Sequence, residues 1–576
     1  MAINRQKIRI GDLLIQNGVI SEEQLMQALA VQKQSGQKLG RVLIDTHALE
    51  EDQFLSFLSQ QLEISFVDLK RFNFDVSLVN LLPETYARRH RAIVLSDEDS
   101  SLVVGMADPM DIFAFDELER ILQQPIKQAV VRESELLSTL DLVYRRTEDI
   151  ASFAEELEEE LEEGQFDLEA LTLDADDSEA PVVKLLQSIF EDAVQVRASD
   201  IHIEPDESVL RIRQRVDGVL QEQVMKERRI TPALVLRLKL LSGLDISEKR
   251  LPQDGRFSLK VKNRKIDVRL STMPIEHGES VVMRLLDQTE GATELDAVGM
   301  PPAMLAEFRE LIHKPHGLVL VTGPTGSGKT TTLYGALQEL NEVGKKIITV
   351  EDPVEYRLHR INQVQVNPKI DLSFARVLRA ALRQDPDILL VGEIRDHETA
   401  EIALRAAMTG HMVLSTLHTN DAISSAMRLV DMGAEGFLAA TALRAVMAQR
   451  LVRRLCDNCY IDHEPEPKDL AWIQSLLGEQ AHTMQLKQPV GCHRCNNTGY
   501  RGRIGVFELL MLTPELSDAL RRADTSEFVR QAKKTPGYQP LVVSALMDAA
   551  QGITSLEEVL RVAEQIDESD DFMEVA

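Results

Sequence analysis

Apolar residues recur at helical spacing from Arg9 to Gln61, and short strand-like runs, Ala92–Leu95 and Leu102–Met106, come later. The pattern predicts a mostly helical N-terminal domain over 1–145. It lapses over 146–179. From Pro181, VVKLLQSIFEDAV predicts a helix. VLRIRQRVDGVL and FSLKVKNRKIDVRLS alternate apolar with polar and contain Gly and Asn turn residues, as antiparallel strands do. Residues 180–291 are therefore expected to form a compact α+β domain. From Gly317 three continuous apolar runs, GLVLVTG, KKIITVED and DILLVGE, are separated by helical stretches. That alternation predicts an α/β core over 292–450, a parallel sheet with crossover helices. Residues 451–508 hold every cysteine. Residues 509–576 read as helical, with an acidic end.

The 576 residues are too many for one core, and 44% hydrophobic with 27% charged residues excludes a wholly disordered chain. No apolar run approaches the ~18–20 residues that span a bilayer, and the N-terminus has no uninterrupted apolar stretch of a signal peptide. The chain is expected in the cytoplasm. Its net charge of −29 argues against non-specific nucleic-acid binding. Between Glu148 and Glu179 stand 15 acidic residues and no Lys or Arg, so 146–179 is expected to be a flexible acidic linker.

Gly323, Thr325, Gly326, Ser327, Gly328, Lys329, Thr330 and Thr331 belong to a G-x-x-x-x-G-K-[ST] loop and the helix it opens. The loop follows a strand, the context in which backbone N–H groups cradle phosphates. Lys329 supplies a cation to the β/γ-phosphates and Thr330 a hydroxyl to Mg²⁺. DILLVGE ends in Gly392-Glu393, and VEDPVE contributes Glu355; carboxylates at neighbouring strand ends can orient and deprotonate a water. His411 and His418 bracket another strand-like run, MVLSTL.

In order, GPTGSGKTTTLY, VEDPVEY, RQDPDILLVGEIRD and TGHMVLSTLHTND resemble the Walker A, Asp box, Walker B and His box of the type II secretion and type IV pilus ATPases, over about 180–562. The resemblance implies a RecA-like ATPase domain preceded by an α+β domain, assembled as a hexamer at the cytoplasmic side of the inner membrane. It implies Glu355 as catalytic base and Glu393 as the residue positioning Mg²⁺ and water. It also implies that Arg269 and Arg284, from the α+β domain, close over the γ-phosphate; a planar, always-charged fork suits phosphoryl oxygens.

Cys456-x-x-Cys459 and Cys492-x-x-Cys495 are two knuckles separated by 32 residues, a pattern that suits one closed, structural Zn²⁺ site. His493 is an alternative ligand. By resemblance, assembly ATPases carry this element and retraction ATPases generally lack it.

Residues 9–32 and 38–61 align at an offset of 29, matching Arg9/Lys38, Gly11/Gly40, Leu14/Leu43, Leu25/Phe54, Leu29/Leu58 and Gln32/Gln61. Two helical hairpins sharing a core pattern account for the apolar positions. The repeated basic residue, glycine and glutamine point further, to a ligand with two equivalent halves. An Arg can grip guanine or phosphate bidentately, and a glycine lets a ligand near the backbone.

The repeat resembles the domain family named after the ATPase of the mannose-sensitive haemagglutinin (MSHA) pilus, which binds cyclic di-GMP through two 24-residue motifs. That resemblance implies a first half of the site at Arg9, Ile10, Gly11, Asp12, Leu14, Leu25, Leu29 and Gln32. The second half falls on Lys38, Leu39, Gly40, Arg41, Leu43, Phe54, Leu58 and Gln61.

The expectation is a hexameric motor using ATP and Mg²⁺ to build a pilus, with structural Zn²⁺ and cyclic di-GMP as regulator. Its expected partners are an inner-membrane platform protein and a cytoplasmic adaptor. The alternatives are a type II secretion ATPase and a cyclic di-GMP receptor that holds nucleotide with little turnover.

Overall fold

The computed structural model describes residues 10–35, 39–46, 48–62, 64–69, 72, 74–98, 101–144, 147–162, 180–261, 264–287 and 294–571. Two compact units divide the chain, one built from Met1–Ser152 and one from the bulk of Phe153–Ala576.

In the first unit the sequence repeat is a structural repeat. Helices Ile10–Gln16 and Leu39–Asp45 begin 29 residues apart (10 to 39), as do Glu22–Ser35 and Glu51–Leu62 (22 to 51). Both short helices end alike: the N–H groups of Val19 and Ala48 donate to the carbonyls of Leu14 and Leu43 at 2.9 and 3.0 Å. Ser21 starts the second helix with a reciprocal cap. Gln24 N–H donates to Ser21 Oγ at 3.2 Å, and Ser21 N–H donates to Gln24 Oε1 at 2.8 Å. Leu14, Leu25 and Leu43 are buried in the core of this bundle with Val42 and Phe57. The paired glycines have a packing reason. A Cβ on Gly11 would lie 2.8 Å from Leu25, and one on Gly40 would lie 2.5 Å from Phe54. Each glycine lets the second helix of its hairpin close on the first. Three strands follow, β1 (Ala92–Glu98), β2 (Ser101–Met106) and β3 (Ile126–Val130), in the order β1-β2-β3.

The acidic linker expected from 146 is in part a helix, Thr147–Glu162. Ile150, Ala154 and Leu157 are buried, and their spacing of four and three residues aligns them on one face. The run of carboxylates around them masked that stripe. Residues 163–179 lie outside the described residues.

The second unit opens with an α+β domain, as the alternating segments predicted. Its strands are β4 (Asp200–Pro205), β5 (Leu210–Val216), β6 (Val219–Met225), β7 (Gln253–Val261), β8 (Arg264–Ile275) and β9 (Gly278–Asp287). They form an antiparallel sheet ordered β6-β5-β4-β9-β8-β7, with helices Pro181–Gln195 and Thr231–Leu241 packed against it.

The larger sheet uses β10 (Gly317–Thr322), β11 (Ile347–Glu351), β12 (Asn362–Gln365), β13 (Ile388–Val391), β14 (Met412–Leu417) and β15 (Leu443–Leu455). After a small hairpin of β16 (Tyr460–His463) and β17 (Leu486–Pro489), β18 (Tyr500–Met511) completes it. The order is β12-β11-β13-β14-β10-β15-β18, parallel throughout except for β15 with β18. Both faces are covered. Leu318 and Leu320 enter one apolar cluster, Val319 and Val321 the other.

The boundaries expected at 450/451 and 508/509 both fall inside strands. β15 and β18 pair from Ala445↔Met511 to Leu455↔Tyr500, with a register shift between Arg453 and Leu455, so the cysteine segment is an excursion between two paired strands of the main sheet. Arg450, Arg453 and Arg454 interrupt the apolar run of β15 and disguised its continuation.

Candidate nucleotide site

Helix Lys329–Leu340 begins directly after β10, and the turn between them has left-handed backbone at Gly326 (φ 81°) and Gly328 (φ 90°). Glycine is also required by contact: a Cβ on Gly323 would lie 2.5 Å from the carbonyl oxygen of Gln449, and one on Gly328 2.7 Å from its Nε2. Gln449, buried on β15, donates to the Ser327 carbonyl and accepts from Thr332 Oγ1, each at 2.8 Å. Thr325, Gly326 and Thr330 are exposed, Thr331 is half-buried, and Ser327 is buried with no hydrogen bond to its Oγ. Lys329 is 9% exposed, and its Nζ donates to the carbonyls of Gly323 and Pro324 at 2.7 and 2.9 Å. Burial, and then the neighbouring Arg450 cation, push its pKa down to about 8. A loop with an unbonded buried hydroxyl and a desolvated cation fits polyphosphate.

The carboxylates stand at the ends of β11 and β13. Glu351 is buried and accepts from Thr349 Oγ1 at 2.5 Å, from Gln363 Nε2 at 3.2 Å and from the Tyr334 hydroxyl. It anchors this loop. Glu355, four residues on, stays partly open, and Arg269 Nη2 lies 2.9 Å from its Oε2 while also donating to the Val354 carbonyl at 3.0 Å. Gly392 precedes Glu393 for a steric reason. Its N–H donates to the Val350 carbonyl at 2.7 Å, and a Cβ there would lie 3.0 Å from that oxygen. Glu393 is nearly buried. Arg395 Nη2 lies 2.5 Å from one of its oxygens and His418 Nε2 lies 3.4 Å from the other. Burial, followed by the Lys329 cation, pushes the His418 pKa down.

Register explains the two histidines. Thr322 of β10 is level with Leu417 of the parallel β14, so His418 emerges beside the phosphate loop. His411 precedes β14, at the opposite edge of the sheet, about 20 Å away at ~3.3 Å per residue. There its Nδ1 lies 3.0 Å from the Ala406 carbonyl. The structure does not bring His411 to this cluster. Arg284 faces Arg269 across β8 and β9, but its side chain turns to Asp200, with Nε 3.0 Å from Oδ1. Of the two arginines, Arg269 alone meets a carboxylate of the site. Replacing Arg269 by Ala should lower kcat well beyond any loss of ATP affinity, because it orients Glu355; equal kcat in mutant and wild type would remove it from the mechanism.

A scan against family models matches residues 175–561 to the type II/IV secretion system protein model and residues 62–150 to the MshEN domain. The type IV pilus assembly ATPase PilB of Myxococcus xanthus is 41% identical over 96% of this chain and 98% of its own length. The chain belongs to the type II/IV secretion system protein family. It is an ATPase of that family. Type II secretion system protein E of Klebsiella pneumoniae is 46% identical over 84% of this chain and 97% of its own. A solved structure of MshE with cdg is 41% identical, covering 24% of this chain and all of its own, with a TM-score of 0.23.

Within this ATPase, Thr330 and Glu393 are the groups that would hold Mg²⁺, which would screen the phosphate charge. Glu355 stands beside the Arg269 guanidinium with its side chain 30% exposed. Sequence reasoning passed over Gln449; its signal was an amide that, with the adjacent Arg450, interrupts an apolar strand segment, VMAQRLV.

The four cysteine sulfurs lie within 4.8 Å of one another, with Cys456, Cys492 and Cys495 buried and Cys459 partly so. Tetrahedral Zn²⁺ with ~2.3 Å bonds needs sulfurs about 3.8 Å apart. Cys492 and Cys495 Sγ are 3.8 Å apart, so the donor set fits a structural zinc. The side chain of His493 lies outside the described residues.

Of the residues implied for cyclic di-GMP, Leu14, Leu25 and Leu43 are core and Phe54 is half-buried, whereas Leu29 is 39% exposed and Gln32 half-buried. Gly11 is buried, and Leu39 and Gly40 are half-buried. Leu14 and Leu43, expected to wall the ligand, are fully enclosed because they face the neighbouring helices of the bundle. Arg9 and Lys38 lie outside the described residues, as do the side chains of Ile10, Asp12, Arg41, Leu58 and Gln61.

Proposed function

We propose that this ATPase is a cytoplasmic homohexamer that powers assembly of an MSHA-class type IV pilus and is permitted to do so by cyclic di-GMP bound at residues 1–145. The observation that carries the reading is the duplicated hairpin, two copies 29 residues apart, each headed by a basic residue and a glycine. Further support comes from the MshEN match over 62–150, next to the repeat. No helix among the described residues is long and apolar enough to cross a membrane, which suits docking through a platform protein and its adaptor. In the nucleotide site, Lys329 binds phosphate, Glu355 takes the proton of the attacking water and Glu393 positions the metal. Type II secretion is the second reading, favoured by the 46% identity to a secretion ATPase. The pilus ATPase, however, aligns over 96% of the chain against 84%.

Titration of the full-length protein with cyclic di-GMP, with GTP as control, tests the regulation. Saturable binding of the dinucleotide alone is expected. Arg9→Ala should weaken it ten- to a hundredfold, the ~1–3 kcal/mol of a bidentate guanine or phosphate contact. Lys38→Ala should weaken it less, because an ammonium lacks the planar fork. Absence of binding at micromolar ligand refutes the regulatory part and leaves the ATPase intact.

A further inference from the structure

The loop from His418 to Asp421 joins β14 to helix Ala422–Asp431, and its first residue faces Glu393. Two buried charged residues that the mechanism above does not use grip this loop. Arg450 on β15 is 2% exposed; its Nη2 donates to the carbonyl and to Oδ1 of Asn420 at 2.9 and 3.0 Å. Its Nη1 donates to the Gln449 carbonyl at 3.2 Å, and among the described residues no carboxylate lies within ion-pair distance. Glu508 on β18 is also 2% exposed. Its Oε1 accepts from the Ala422 N–H at 2.9 Å and from the Tyr538 hydroxyl at 2.9 Å. Its Oε2 accepts from the Leu541 N–H at 3.0 Å. One carboxylate therefore closes two helix N-termini, those of Ala422–Asp431 and Leu541–Ala550. The loop is tied on its third side as well: Ser425 Oγ donates to Thr322 Oγ1, at the last residue before the phosphate loop, at 3.0 Å.

Burying a charge without a contact ion pair is costly, and well-packed apolar residues would fill these places at least as stably. Burial pushes Arg450 down to about 10 and Glu508 up to about 7, the strain expected of charges kept inside a sheet. Their shared partner is the loop that presents the imidazole to Glu393. We infer that Arg450 and Glu508 are positioning residues for ATP hydrolysis: by pinning Asn420 and Ala422 they set His418 against Glu393 and connect that contact to the C-terminal helices. The inference rests on the assignment of Glu393 to the catalytic site.

Full-length protein carrying Arg450→Gln or Glu508→Gln should lose at least tenfold in kcat per folded molecule, with the KM for ATP within about threefold of wild type. Hydrogen exchange of the 418–424 amides should quicken in both. Arg450→Lys, which keeps a cationic donor for the Asn420 carbonyl, should regain most of the turnover. If Glu508→Gln fails to fold, Tyr538→Phe removes one of its donors and should show a smaller loss of kcat with the same local exchange. The inference is overturned by lower thermal stability at unchanged kcat, by a rise in KM as large as the fall in kcat, or by a loss of kcat without faster exchange in the loop. Glu393→Gln separates the two levels. If it turns over ATP normally, the site assignment fails; if it is inactive while the variants above behave as wild type, only the positioning role fails.

Discussion

Glu355→Gln is expected to bind ATP nearly as tightly as the wild type and to hydrolyse it ~10²–10⁴-fold more slowly, the usual worth of a positioned general base. The substitution preserves the shape of the side chain and its place after β11, where Glu351 and Tyr334 hold the backbone. It removes the lone pair that takes a proton, and it replaces the anion that Arg269 faces at 2.9 Å. With Lys329 and the glycine turn proposed to hold the phosphates, nucleotide affinity should survive. Steady-state turnover together with equilibrium ATP binding checks this. Near-normal turnover would show that the base has been assigned to the wrong carboxylate.

The second large effect concerns the metal. Freshly purified, reduced protein should contain about one zinc per chain, and Cys495→Ser should lose it. Structural Zn²⁺ sites of this kind bind with apparent free energies of ~10–16 kcal/mol, so emptying one removes stability on the order of several kcal/mol even after local relaxation. The damage should begin in the segment between β15 and β18, which contributes the four sulfurs and is held by the short β16–β17 pairing, one α-helix, Pro467–Leu477, and two short 3-10 helices, Gly478–Thr483 and His493–Cys495. Metal analysis with thermal unfolding in the presence and absence of a chelator reads both. Protein that is stable, reduced and free of zinc would sink the assignment.

How much of this was legible from the chain depended on whether a signal was local. The phosphate loop, the strand-end carboxylates and the cysteine knuckles are contiguous motifs, and they fold where their patterns say. Register is not contiguous. His411 and His418 look equivalent in TGHMVLSTLHT, yet β14 carries them to opposite edges of the sheet. Arg450 and Glu508 meet one loop from strands 58 residues apart (450 to 508), and nothing near either residue announces the other. Charge also concealed structure. The carboxylate run hid the apolar stripe of Thr147–Glu162, and the arginines of β15 hid its last turn of pairing with β18. In the N-terminal repeat the glycines were legible as special, but the structural reason for them is contact with Leu25 and Phe54 inside each hairpin.

β15 runs without interruption from beneath the phosphate loop at Gln449 to Leu455, next to Cys456. A β-strand resists stretching, and this one is paired with β18 from Ala445 to Arg453, with a register shift before Leu455, so a displacement at one end is felt toward the other. Arg453, between them, lies 3.9 Å over the ring of Tyr500 and 2.9 Å from Glu558. A thermodynamic cycle follows. To the extent that a metal at the cysteines helps to seat Gln449, it favours nucleotide, and nucleotide favours the metal by the same coupling free energy. Chelated protein would then bind ATP more weakly, and ATP would tighten zinc binding by the same factor.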